Sequence, residues 1–356
     1  MKIAIINQHF ENIKGGSELQ CDLIAEALVK KSHEVFYIAP KGENKQYSRT
    51  YSVLPTENNA DSIISAVKQV KPEIVYWRYN KHHFFKVARF LNKHDIPLVF
   101  AVSHILDLKP FAIKRFNGLR SFIKQNILKI INHLGFRYVQ AITVNNEAFL
   151  KHIKIENKFY IPNGIPDNRS DFTWPKPYCA WVGSLKTVKR PELMVALAKE
   201  FQKTGIDFLI AGKIQEQSYE WLKSSSNLPL NCYYLGEMEQ EKILGLLKNA
   251  LVHISTSFPE GFPNVFIQSW VNGTPTVSYQ FDPNNLIKEK NLGFCANADW
   301  DEFVNNVKLI TKDDTLRENL RSNIMQYATE EFNNEKSVEK LEDIFKLLVN
   351  RNHKIS

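Results

Sequence analysis

Two rhythms alternate along the chain. Short unbroken apolar runs read as buried strands, and longer stretches with apolar residues three and four apart read as helices. Residues 2–7 form such a run, 19–30 an amphipathic helix and 34–39 the next run, which together make a β-α-β unit. A helix over 60–71 then leads to a strand at 73–77, a helix over 82–93 to a strand at 97–102, and a further strand covers 138–144. The second half repeats the scheme. Strands are predicted at 178–183, 208–212, 231–236, 250–256 and 276–279, with helices opening at Pro191 and covering 239–248 and 263–272. A helix over 301–309 follows, and a last one starts at Glu335 with Val338, Leu341, Phe345 and Leu348 on one face. This alternation predicts the α/β class, with a doubly wound parallel sheet in each half.

A chain of 356 residues is too long for one hydrophobic core, so two domains are expected. The prolines at 162, 166, 175 and 177, with Asn163-Gly164 among them, make the most linker-like stretch. The boundary is placed there, giving domains of 1–165 and 166–334. Apolar content of 44% and aromatic content of 12% fit packed globular material. The first residues enter a strand at once rather than forming a leader, and no apolar run approaches the roughly 20 residues of a membrane span. Cys21, Cys179, Cys232 and Cys295 lack paired or metal-ligand spacing and read as reduced core residues. The expected compartment is the cytoplasm.

The net charge of +8 changes this picture, because it is uneven. Residues 1–165 hold 24 Lys and Arg against 13 Asp and Glu, a net +11, and residues 166–356 hold 22 against 25, a net −3. Within the first half, residues 108–146 carry no acidic side chain, while Lys109, Lys114, Arg115, Arg120, Lys124, Lys129 and Arg137 are basic. Phe111, Phe116, Leu119, Phe122, Ile123, Ile127 and Ile131 interleave with them at roughly helical spacing. Residues 108–137 have two readings. One is a peripheral contact with an anionic membrane; the other is a core-facing helix with a basic solvated face. No nucleic-acid-binding motif accompanies the charge, and no nucleic-acid partner is expected.

The stretch with the most chemistry runs Ser257-Phe-Pro-Glu-Gly-Phe-Pro-Asn-Val-Phe-Ile-Gln-Ser-Trp-Val-Asn-Gly-Thr-Pro. It follows a predicted strand, places Glu260 and Gly261 in a loop, and puts Pro263 in the first turn of a helix, where its missing N–H costs nothing. Gly273 and Pro275 end that helix. Its free N–H groups and dipole favour a phosphate, although an ordinary well-capped buried helix has the same pattern. Gly15-Gly16-Ser17 precedes the first helix without the spacing of a dinucleotide fingerprint. It is read either as a loop that a ligand approaches closely or as a plain turn capped by Ser17. Arg78 and His104 stand just past strand ends, where open α/β sheets bind ligands, and a structural role is open to His104 as well. Gly183 is followed by Ser184-Leu-Lys-Thr-Val-Lys189-Arg190-Pro, and Gly212 closes the next strand.

The Glu260-Gly-Phe loop and the helix ending in Gly273-Thr-Pro resemble the donor-site signature of retaining GT-B-fold glycosyltransferases, the large glycosyl transferases group 1 family. In that family a Glu, seven intervening residues and a second Glu form the signature. The resemblance implies that Glu260 lies by the donor sugar and that position 268 receives the ribose hydroxyls. Here that position is Gln268, which accepts through its carbonyl oxygen and also donates, without the charge assistance of a carboxylate. The family shows Gly-Arg with a Lys five residues on, both cations holding the diphosphate. In this chain Ser184 stands at the Arg position and Lys189 at the Lys position, with Lys186 and Arg190 nearby. The resemblance also implies a donor- and acceptor-facing role for Gly15 and Gly16 and an active-site role for His104. It adds Gly183, Gly212, Gly261, Phe262, Pro263 and Asn264 to the donor site, and has the 335–356 helix pack back on the first domain.

The expectation is therefore a GT-B fold, two Rossmann-like domains facing a cleft, moving a sugar from a nucleoside-diphosphate donor to a hydroxyl. The acceptor would be a glycan or lipid-linked glycan, with retention at the anomeric carbon, in surface polysaccharide biosynthesis. A nucleotide-sugar epimerase of the same fold and a non-catalytic partner subunit are the alternatives. No cofactor beyond the sugar-nucleotide substrate is expected, and no metal. Asp299-Trp300-Asp301 matches the D-x-D pattern of metal-dependent glycosyltransferases but opens a helix, where Asp serves as a cap. His82-His83 lacks partners at ligand spacing, and no Ser/His/Asp set or carboxylate pair points to a hydrolase.

Overall fold

The computed structural model describes residues 1–110, 119–166, 170–258 and 262–352, with the side chains of all but 119–125 and 352. The chain divides into two compact units, Met1–Gly164 with Asn334–Ser356, and Ile165–Asn333. In the first unit the strands are β1 Lys2–Ile6, β2 Glu34–Pro40, β3 Ser52–Thr56, β4 Ile74–Trp77, β5 Leu98–Val102, β6 Ala141–Val144 and β7 Lys158–Tyr160. They pair in the order β3-β2-β1-β4-β5-β6-β7, every pair parallel. Helices α1 Gly16–Lys30, α2 Ala60–Val70, α3 Phe84–Lys93 and α4 Leu119–His133 connect them.

Strand β1 shows why both faces must be covered. Its side chains alternate between faces. Ile3 and Ile5 enter one core, with Leu28 of α1; Ala4 and Ile6 enter the other, with Val67 of α2 and Val87 of α3. A strand buried on both faces carries an unbroken apolar run, which is what the sequence has. Helix α2 starts where Asn59 accepts a hydrogen bond from the Ser62 N–H at 2.8 Å, and it ends at Lys71 in a left-handed conformation.

The second unit has strands β8 Tyr178–Val182, β9 Asp207–Ala211, β10 Cys232–Gly236, β11 Val252–Ser255, β12 Thr276–Ser278 and β13 Gly293–Cys295. Their order is β10-β9-β8-β11-β12-β13, again parallel throughout. Six helices belong to it among the described residues: α5 Pro191–Glu200, α6 Gln240–Lys248, α7 Asn264–Trp270, α8 Leu286–Glu289, α9 Trp300–Lys312 and α10 Asp314–Glu331. Cys179 and Trp181 of β8 enter one core and Tyr178 and Ala180 the other. Helix α11, Asn334–Asn352, returns to the first unit, where Val338, Leu341, Phe345 and Leu348 join the core beside Ile3 and Ile5.

Several boundaries differ from expectation for local reasons. Helix α7 begins at Asn264 because Pro263 holds an extended ψ of 129° and serves as N-cap. Helix α1 begins three residues early, and Ser17 is not its cap. Gly15 is, while the Ser17 hydroxyl accepts from Asn7 Nδ2 at 3.0 Å. Asp299 caps α9 by accepting from the Glu302 N–H at 2.9 Å. Among the described residues no group of three or more His, Cys, Asp or Glu is placed to hold a metal ion, and no helix is long and apolar enough to cross a membrane.

Candidate functional site

Both sheets run outward from their first strand in one direction and then from its other side, so each reverses strand order next to that strand. In open α/β sheets ligands bind at such a reversal, beyond the carboxyl ends of the strands. In the second unit the reversal lies between β8 and β11. The loop after β8 stays paired with the loop after β9, the Leu185 N–H donating to the Lys213 carbonyl at 2.8 Å. At the mouth the two backbones touch. A methyl group on Gly212 would lie 1.8 Å from the Gly183 carbonyl oxygen, and Gly212 has a φ of +149°, so this position requires glycine.

The turn carrying Lys189 is held from the side of β11. Trp181 Nε1 donates to Thr256 Oγ1 at 2.9 Å, and the Thr256 hydroxyl donates to the Lys189 carbonyl at 2.7 Å. The Phe258 N–H donates to the Val188 carbonyl at 2.9 Å. Arg190, left-handed at φ 52°, places its guanidinium 4.9 Å from the Phe258 ring and 5.0 Å from the Tyr279 ring, and donates to Gln280 Oε1 at 2.9 Å. Stacking of this kind suits a flat, weakly hydrated cation. The ends of β8, β11 and β12 are thus tied together around Lys189 and Arg190.

Helix α7 opens at the same edge. Its N-cap is Pro263, which has no side-chain hydrogen bond to give, and its first turn holds no acidic residue. Asn264 lies in that first turn, Gln268 one turn on and only 5% exposed, and Phe262 is buried just before. Beneath the Lys189 turn, His253 of β11 is fully buried. Burial, helped by the charge on Lys189, lowers its pKa to about 3. It is a neutral core imidazole, against Thr276 Oγ1 at 3.2 Å and the Phe266 ring at 5.3 Å.

The reversal in the first unit lies between β1 and β4, and its groups are committed to one another. Arg78 donates to Ser103 Oγ at 3.2 Å and to Asn163 Oδ1 at 2.9 Å. Gln20 exchanges two hydrogen bonds with Gly164, each 2.7 Å. Glu18 folds back so that a methyl on Gly15 would meet its Oε2 at 2.2 Å, and burial raises its pKa. Beside this lies a network that the sequence did not suggest. The Glu11 N–H donates to His9 Nδ1 at 3.2 Å, which leaves Nε2 to donate to the Tyr51 hydroxyl at 2.9 Å. Tyr51 in turn donates to Asp22, which Arg49 also grips at 2.7 and 3.1 Å.

The structure brings Gly183, Ser184, Lys189 and Gly212 to one mouth, with Phe262, Pro263, Asn264 and Gln268 on the element that follows it. Glu260 and Gly261 lie outside the described residues. Gly15, Gly16 and His104 belong to the other unit. His104 caps a short 3-10 turn, Nδ1 accepting from the Leu106 N–H at 3.1 Å, so its neutral ring carries the proton on Nε2. Sequence reasoning missed Thr256, Phe258 and Tyr279, although each stands within three residues of a strand's carboxyl end.

No curated protein matches the chain. Residues 166–328 match the family model described as Glycosyl transferases group 1. The fold is shared with a sucrose-phosphate synthase from Thermosynechococcus elongatus, TM-score 0.76 and 14% identity over 98% of this chain and 99% of that one. It is shared also with HepE of Anabaena, solved with UDP and glucose, TM-score 0.73 and 18% identity over 97% and 99%. An E. coli protein solved with UDP-2-fluoro glucose gives 0.69 and 12% over 97% and 99%. The architecture is GT-B: two Rossmann-like units, the second of which is the one that matches the group 1 glycosyltransferase model.

Proposed function

We propose that this glycosyltransferase moves a sugar from a nucleoside-diphosphate donor to a hydroxyl of a glycan or lipid-linked glycan, with retention and without a metal, in surface polysaccharide biosynthesis. The observation that carries the reading is the Lys189 turn, pinned by Thr256 and Arg190 at the strand-order reversal of the group 1 domain. The Lys189 ammonium, carried on a turn already in place, would stabilise charge building on a departing diphosphate without reorganisation of that turn during reaction. The start of α7 adds the N–H donors that the first turn of a helix leaves outside its own ladder. Glycine at 212 lets the two loops close on each other at this mouth. Gln268 would meet the ribose, Glu260 the donor sugar, and Ser184 leaves the diphosphate one cation short of the family pattern. We assign Gly15 and Gly16 to the acceptor hydroxyl rather than the diphosphate, because the Glu18 carboxylate stands against Gly15. His104, through its Nε2–H, is assigned beside them. The four free cysteines accord with a cytoplasmic setting.

The test is a thermal-shift panel of nucleoside diphosphates and their sugars, with and without magnesium. Uridine nucleotides come first, because HepE and the E. coli protein were solved with UDP and a UDP sugar. Ligand at about a hundred times its dissociation constant adds roughly 2.7 kcal/mol of stability. A shift with one base, equal in both conditions, supports the reading. Silence across the panel would move the chain to the partner-subunit alternative, which Gln268 and Ser184 already favour. With a responsive donor in hand, Glu260→Ala is expected to cut its turnover at least about a hundredfold while leaving nucleoside-diphosphate binding in place; full turnover would remove Glu260 from the catalytic assignment.

A further inference from the structure

Over its described side chains, from residue 126 on, helix α4 has its polar side turned inward. Asn132 accepts from the Phe85 N–H at 3.3 Å, and the His133 ring lies 5.1 Å from Phe136. The outward side is apolar: Ile127 is 50% exposed, Leu128 49%, Ile131 40% and Leu134 40%. At 3.6 residues per turn, Ile127 and Ile131 share one face of α4, with Leu128 at its border and Leu134 opening the 3-10 turn that follows. A helix on the surface of a soluble domain has the reverse arrangement, and a contiguous exposed apolar patch marks an interaction surface.

Charge identifies the occupant. Among the described side chains from 108 to 146 the charged ones are Lys109, Lys129 and Arg137, all basic; Lys114, Arg115, Arg120 and Lys124 lie outside them. Helix α3, which packs beside α4, adds Arg89 and Lys93 and has no acidic residue either. A second copy meeting this face about a two-fold axis would set these cations against their own copies. An anionic bilayer satisfies both properties at once, with apolar side chains at the head-group boundary and cations among lipid phosphates. We propose that the outer face of the end of α4 and the turn after it, residues 127–134, docks the chain onto an anionic lipid bilayer. This deepens the proposed function, because a lipid-linked acceptor lies at such a surface. It rests on that reading only for its purpose, since vesicle binding is measured without turnover.

The experiment is flotation of the full chain with phosphatidylglycerol–phosphatidylcholine vesicles and with phosphatidylcholine alone, in about 0.01 M and about 1 M salt, where the Debye length falls from about 30 Å to about 3 Å. Binding is expected to the anionic vesicles at low salt only. It should weaken at least about tenfold in the Ile127→Glu/Ile131→Glu variant. Both side chains are exposed, so that variant should keep its unfolding midpoint and nucleotide response. Should it fail to fold, Arg137→Glu, an exposed site at the end of the same segment, should show a smaller loss in the same direction. Absence of flotation at low salt overturns the proposal, as does unchanged binding in the folded variant. So does a dimer of the wild type that the variant abolishes, which would give the face to a second copy. A silent nucleotide panel with intact flotation would remove the donor reading and leave the docking face standing.

Discussion

The two units place the same strand order around chemically unlike mouths. In the first, the reversal beside β1 is filled by the protein's own groups: Arg78 bound to Ser103 and Asn163, Gln20 to Gly164, and the Glu18 carboxylate over Gly15. In the second, the bonds at the reversal are made by backbone and neutral side chains, which hold a lysine and an arginine in place. Topology decides where a ligand can reach a sheet, and side chains decide which ligand. One mouth carries a carboxylate and suits a hydroxyl. The other carries cations and the start of a helix, and suits a diphosphate.

Gly212→Ala attacks the second mouth where backbone meets backbone. The new methyl would stand 1.8 Å from the Gly183 carbonyl at a φ of +149°, so loops must move apart. The expected cost is about 3 kcal/mol or more in urea denaturation, from strain plus overpacking. Five of the six tryptophans lie in this unit, so intrinsic fluorescence follows it. A cost under about 1 kcal/mol would mean that the two loops are not packed as described.

Lys189→Met tests the charge alone. The backbone ties through the Lys189 and Val188 carbonyls do not involve the side chain and should persist. Loss of a charge-assisted hydrogen bond is expected to weaken UDP binding by about 1.5–3 kcal/mol, which titration calorimetry resolves. Equal affinity in wild type and variant would place the diphosphate elsewhere.

Acid should separate wild type from a His253 variant. The folded pKa of His253 is lowered to about 3 from an ordinary value of 6.5. Below pH 6.5 the unfolded chain takes up a proton that the folded chain refuses, so stability is full above that pH and falls progressively toward pH 3. The linkage amounts to about 2 kcal/mol at pH 5. His253→Leu should flatten this acid limb, measured as urea midpoints against pH. A limb of unchanged slope would assign the acid sensitivity to other groups.

Much of the fold was legible because strands buried on both faces announce themselves as apolar runs, and the sites of β1, β8, β11 and the α11 face follow from that spacing alone. Strand β3 was not, because its residues are at best half buried and Pro55 interrupts its pattern. Helix α10 was missed for a similar reason, with only Leu320, Ile324 and Ala328 buried among its 18 residues. Lys189 and Gly183 could be found by motif, since they lie close together in sequence. The aromatic grip on Arg190 could not: Phe258 and Tyr279 come from two other strand ends and meet only when the sheet is assembled. The His9, Tyr51, Asp22 and Arg49 network hides likewise, because its members are dispersed over 9–51 with no periodicity.

The smallest expected effect on stability tests the first mouth. Gly15→Ala places a methyl 2.2 Å from Glu18 Oε2, but that atom ends a flexible side chain and can swing aside. The backbone there is extended, φ −132°, which any residue adopts. What remains is the weaker capping of Ala relative to Gly at a helix N-cap, below about 1 kcal/mol. UDP affinity is expected to stay within about twofold of wild type, since the proposed diphosphate site lies in the other unit. Turnover onto an acceptor hydroxyl should fall, because a methyl and a displaced carboxylate then occupy the approach. A loss of UDP binding as large as that of Lys189→Met would break the contrast between the mouths, showing that the diphosphate reaches Gly15 in spite of the Glu18 carboxylate.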